Sequence, residues 1–241
     1  MEEKTLENLI DNNKEISRLL AENEKILRNS GFQPPIQNYA MDKNDRIRIP
    51  SGYIRTSGAF WQKYHLSKIV KTRNTRNNIS YALQLSDFYN FLINRFNIWG
   101  SIETMLLKQA FVNIVSIIEA LILECANNIN DYCQKCKKIG KCQNNLNKRD
   151  RENMKNALDK LCHLGIIGLT SDEYTELLEL YDLRNKIHIR LNAQNEFLDN
   201  KYNQELYNKA ICLLQKVDEE ILKNGVIRYN ACMGYKAKKE E

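Results

Sequence analysis

The stretch "MLLKQAFVNIVSIIEALIL", Met105 to Leu123, decides the fold class. Its apolar residues recur at steps of three and four, the spacing that lines one broad face of a helix. The stretch is long enough to cross a bilayer. Lys108, Gln109, Asn113, Ser116 and Glu119 interrupt it, however, and each would be costly in hydrocarbon. The residues therefore predict the core helix of a soluble protein. Working outward, the same periodicity predicts helices over residues 78–98, 102–129, 149–163, 171–189 and 202–223. Ser101 sits where an N-cap belongs, Ser171 followed by Asp172-Glu173-Tyr174 starts the fourth helix, and Gly225 sits where the last helix should stop. With three prolines and nine glycines in 241 residues, the composition also favours helices. The expected fold is an all-α bundle over residues 78–225.

A chain of this length can bury a sizeable core without staples. Seven cysteines is an odd count, and no apolar N-terminal stretch resembles a signal peptide. Both features predict a reducing cytoplasm, no disulfide framework and no membrane partner.

Residues 2–29 place Leu6, Leu9, Asn13, Ile16, Leu20, Asn23 and Leu27 on a heptad seam. A buried Asn fixes register and partner number in such a seam, so residues 1–30 read as a dimerising coiled coil or, alternatively, as a helix packed on its own domain. Gly31 and Pro34-Pro35 then break the helix, and residues 31–77 read as a linker or basic arm. From Arg46 through Ser86 there is no acidic residue, while Arg46, Arg48, Arg55, Lys63, Lys68, Lys71, Arg73 and Arg76 are all basic. "RIRIPSGYIRT" alternates around Pro50-Ser51-Gly52, as a short hairpin or extended arm would. Tyr53, Phe60, Trp61 and Tyr64 lie among these charges. Lysine and arginine neutralise phosphates and aromatic rings stack on unpaired bases, so the window predicts an anionic partner, RNA foremost, with Arg46, Arg48 and Arg55 as contacts.

Residues 126–149 read as an insertion between two core helices. It carries Cys133, Cys136 and Cys142, and a Cys-x2-Cys step grips one tetrahedral ion when a fourth ligand is supplied. Cys162, His163 and Cys125 are candidates for that ligand, and the expected metal is a structural zinc with no part in catalysis. Reduced surface thiols are the alternative. Lys135, Lys137 and Lys138 make the same loop a second basic patch. Residues 226–241 read as a basic tail.

"LYDLRNKIHIRL", Leu180 to Leu191, holds Arg184 and His188 four positions apart, on one face if the helix continues. Two cationic groups on one face repel, which favours a neutral imidazole able to accept a proton. A proton acceptor beside a permanent cation suits metal-free RNA cleavage. The imidazole takes the 2′-hydroxyl proton, and the guanidinium stabilises charge on the phosphoryl oxygens. One histidine cannot also protonate the leaving 5′-oxygen, so a second copy of the chain is expected to supply that acid. A simple alternative exists: basic residues near a helix C-terminus also complement its dipole. On the central helix, Asn113, Ser116 and Glu119 form a polar stripe that either faces this pair, with Glu119 orienting it, or is a wet seam.

The segment "LTSDEYTELLELYDLRNKIHI", preceded by "FVNIVSIIEALILEC" and followed by another long helix, resembles the HEPN family (higher eukaryotes and prokaryotes nucleotide-binding) over about residues 78–223. The family's motif is an Arg, a polar residue and then a His, and Arg184, Asn185 and His188 match it, with a gap shorter than the family's usual one. The resemblance implies a compact helical bundle and a metal-independent ribonuclease that acts as a dimer. It also implies a toxin or defence effector with an antitoxin or defence-system partner. Against it stands a non-catalytic module that binds nucleic acid or protein.

Overall fold

The computed structural model describes residues 3–31, 42–134, 152–186 and 201–225, and among these it contains helices and no strand. The chain divides into two compact units, Met1–Ile49 and Pro50–Glu241. The first holds helix α1 (Glu3–Asn29) and a 3-10 turn at Lys43–Asp45. Ion pairs at steps of three and four run along α1, Arg18 with Glu15 and Glu22, and Arg28 with Glu24. Its seam residues Leu6, Ile16 and Leu20 are exposed.

The second unit is built around the predicted central helix. It contains α2 (Ser57–Lys63), α3 (Leu66–Ile69), α4 (Arg73–Arg95), α5 (Gly100–Gln134), α6 (Met154–His163), α7 (Ser171–Asn185) and α8 (Gln204–Glu220), with a π-helical turn at Ile221–Gly225. At 35 residues, α5 is about 50 Å long, and α3, α4, α6, α7 and α8 all pack on it. Phe111, Ile114, Val115, Ile118, Leu121 and Ile122 share one broad face and are each at most 3% exposed. By length and composition α5 is also the one helix among the described residues apolar enough to cross a membrane. Its apolar face is instead the core of the bundle.

The four residues 96–99 join α4 to α5, and the two helices run antiparallel. Asn113 locks their register: its amide donates to the Ala82 carbonyl and to Ser86 Oγ, both at 2.7 Å. Thr72 caps α4 by accepting from the Thr75 N–H at 3.3 Å.

Three sequence expectations change here. Residues 57–70 are not an arm or linker, because α2 and α3 insert Phe60, Tyr64, Leu66, Ile69 and Val70 into the core. Nor is there a hairpin at 46–56, where the chain forms a 3-10 turn at Ser51–Tyr53. The break between α2 and α3 falls at His65, whose left-handed backbone (φ 46) no glycine announces. The insertion also starts later than residue 126. α5 runs on to Gln134, burying Ala126 and Asn130, and Asn128 donates its amide to the Ile69 carbonyl.

Asp218 on α8 is 7% exposed, and its Oδ1 has no hydrogen-bond partner. Burial, reinforced by Glu219 and opposed by Lys63, raises its carboxyl from 3.8 to about 6. A carboxyl whose folded-state value lies above its unfolded one favours folding fully below about pH 4 and loses that contribution as pH rises through about 6. The loss is of the order of 3 kcal/mol. Asp218→Asn is therefore expected to raise stability at pH 7 and to flatten the fall between pH 4 and 6 in urea titrations.

Candidate functional site

Helix α7 starts at a capping box that puts its register beyond ambiguity. Thr170 Oγ1 accepts from the Glu173 N–H at 3.2 Å, and the Glu173 carboxylate accepts from the Thr170 N–H at 2.8 Å. From that start, Leu177 and Leu180 point into the core. Arg184 lies four residues after Leu180, on the same face, and so its side chain is aimed at α5.

There it meets the polar stripe. Arg184 Nη2 lies 3.0 Å from Glu119 Oε2 and 3.3 Å from Ser116 Oγ, while Nη1 donates to Asn185 Oδ1 at 2.9 Å. The side chains of Arg184 and Glu119 are 28% and 21% exposed, so the pair sits at the rim of the bundle, part-screened from water. Its attraction is accordingly stronger than that of a surface pair. A dipole-matched tail would direct its cation at its own helix's last carbonyls. Arg184 reaches across to a different helix instead. The stripe itself divides: Ser116 and Glu119 face Arg184, whereas Asn113 turns to α4.

The described helix ends at Asn185, with Lys186 as its C-cap. His188 lies outside the described residues, as do Lys135, Lys137, Lys138, Cys136 and Cys142; the side chain of Cys133 is likewise not described. The proposed Arg184, Asn185, His188 and Glu119 site is thus described at three of its four residues, and those three form one connected hydrogen-bonded group.

The remaining candidate zinc ligands are placed. Cys162 is half-buried and His163 exposed, at the end of α6. Burial, with Asp159 nearby, pushes the Cys162 thiol up to about 11, against a backbone hydrogen bond from Leu169. Cys125 is buried within the core, and its thiol is pushed up to about 12. Among the described residues no three metal-binding side chains cluster.

Of the candidate RNA contacts, Arg46 and Arg48 are exposed residues of the first unit. Arg55 is committed elsewhere. The buried Asp87 carboxylate accepts from its backbone N–H at 2.9 Å, its Nε at 2.9 Å and its Nη2 at 2.6 Å. The guanidinium also lies 4.6 Å from the Phe60 ring centroid, and Gln84 holds the Arg55 carbonyl. Arg55 therefore pins the segment before α2 onto α4. Arg55→Ala strands a buried carboxylate and is expected to cost about 3 kcal/mol, against less than about 0.5 for Arg48→Ala, as read from urea midpoints.

Comparison of the chain with protein-family models, with curated proteins and with solved structures finds no match in any of the three.

Proposed function

We propose that the protein is a metal-independent endoribonuclease of HEPN type, working as a homodimer. The observation that carries the reading is the anchoring of Arg184. A cation held by Glu119 and Ser116 at the rim, with Asn185 beside it, is a pre-oriented donor for phosphoryl oxygens. His188 follows Arg184 by four residues and is the proton acceptor of the reaction.

The chemistry balances without a cofactor. His188 takes the proton of a ribose 2′-hydroxyl, and the 2′-oxygen attacks the adjacent phosphorus. Arg184 stabilises the charge that builds on the non-bridging oxygens. The bond to the 5′-oxygen breaks, and an imidazolium, supplied by His188 of a second copy, protonates the leaving oxygen. The products are a 2′,3′-cyclic phosphate and a 5′-hydroxyl. Glu119 and Ser116 are positioning residues: they hold the guanidinium and touch no substrate. Zinc, where the cysteine-bearing loop binds one, serves to hold that loop.

The test is incubation of purified protein with single-stranded RNA in EDTA, beside Arg184→Ala and His188→Ala. Cleavage by the wild type that both variants lose supports the reading. Equal cleavage in all three overturns it. RNA binding without cleavage, sensitive to salt and to Arg46 and Arg48, would favour the non-catalytic module instead.

A further inference from the structure

Helix α1 carries an apolar face that its own unit leaves uncovered. The helix is 27 residues long, about 40 Å, yet no described residue of the first unit is buried. Leu6, Ile10, Ile16, Leu19, Leu20 and Ile26 are each between 39% and 62% exposed. The ion pairs along α1 are exposed and hold it only weakly, whereas helices in proteins are stabilised chiefly by packing an apolar face. A helix of this kind needs a cover.

The order of residues on the face identifies that cover. The seam runs Leu9, Asn13, Ile16, Leu20, Asn23, Leu27, at steps of four, three, four, three and four. Read backwards, it has the same steps and the same order of apolar and amide side chains. A second copy laid antiparallel therefore sets Leu9 opposite the partner's Leu27, Ile16 opposite the partner's Leu20, and Asn13 opposite the partner's Asn23. No amide then faces an apolar side chain. Leu19, flanking the seam near its midpoint, meets the partner's Leu19 across the two-fold axis. A parallel pair would also match the seam with itself, but charge separates the two arrangements. Residues 4–15 carry Glu7, Asp11 and Glu15 against Lys4 and Lys14, whereas residues 16–29 carry Arg18, Lys25 and Arg28 against Glu22 and Glu24. Antiparallel helices bring the acidic half of each to the basic half of the other and set their dipoles head to tail; parallel helices place like beside like.

We propose that α1 pairs with α1 of a second copy of this chain as an antiparallel two-stranded coil, with Ile16 and Leu20 at its centre and Asn13 hydrogen-bonded to the partner's Asn23. The contact uses the same face on both chains, so it closes at two. It does not depend on Arg184 or His188 acting in catalysis. On the ribonuclease reading it also keeps a second copy at hand, the copy that supplies the acid to the leaving oxygen.

The experiment traps the pair in the full chain. Leu9→Cys and Leu27→Cys are expressed separately and together, oxidised with glutathione disulfide, and read on a non-reducing gel above the background of the wild type, which has seven cysteines of its own. The co-expressed pair is expected to crosslink and each variant alone to stay at background, because residue 9 meets residue 27 and never its own copy. Crosslinking of each variant with itself would show a parallel coil, and no crosslinking in the pair would show that α1 is covered by its own domain or by another protein; either result overturns the proposal. A second measurement, on the same crosslinking pair, reads the asparagines. Asn23→Leu leaves Asn13 facing an apolar side chain and is expected to raise several-fold the concentration at which half of the chains crosslink, whereas adding Asn13→Leu should restore the original value or better. Two single changes that each strengthen association, with additive effects, would contradict the pairing, since only a parallel coil matches each asparagine with its own copy.

Discussion

Arg184→Ala and His188→Ala are each expected to lower the RNA-cleavage rate about 1000-fold, with far-UV circular dichroism unchanged. The size follows from what each group supplies. A positioned general base contributes about 100- to 10,000-fold, and a pre-oriented donor to a developing oxyanion about 100- to 1000-fold. The two act on one transition state, so the double variant should be little worse than either single one. Glu119→Gln keeps the shape of its side chain but loses the charge that holds Arg184 at 3.0 Å. A misplacement of about 1 Å costs about 100-fold, and Glu119→Gln should fall near that value. Because Glu119 touches no substrate on this reading, its loss should appear in kcat with KM nearly constant, and Glu119→Asp should recover part of the rate. A purely structural ion pair would change neither and would lower only the melting temperature.

Phe111→Ala should cost about 3–5 kcal/mol, a large part of the 5–15 kcal/mol by which domains are usually stable. Phe111 is 1% exposed, at the centre of the apolar face of α5, with its ring 5.9 Å from that of Tyr202. Truncation removes buried ring surface and leaves a cavity that the close-packed neighbours fill only in part. Because α5 carries the packing of α4, α7 and α8, the loss should appear as one cooperative shift of the urea midpoint with the slope conserved. Ile102→Ala, on a residue 53% exposed on the same helix, is the control and should cost little.

The central helix was legible because burial imposes a period of 3.6 that composition cannot hide, and Phe111, Ile114, Ile118 and Leu121 show it plainly. α2 and α3 were not legible. They are seven and four residues long, too short for a period to emerge, and basic residues surround Phe60 and Leu66, which lie wholly in the core. Arg55 read as a free cation because its partner, Asp87, lies 32 residues on. The stripe of Asn113, Ser116 and Glu119 was visible, but which helix each residue faces is set by packing: Asn113 bonds to α4, and Ser116 and Glu119 to Arg184.

The most direct test of the central proposal is the chemistry of the cut ends. RNA cleaved by the wild-type protein in EDTA should carry a 2′,3′-cyclic phosphate on one fragment and a 5′-hydroxyl on the other, and a substrate with a 2′-deoxy sugar at the cleaved position should resist. Fragments bearing a 5′-phosphate, or cleavage at the deoxy position, would contradict a mechanism in which His188 activates the 2′-hydroxyl beside Arg184.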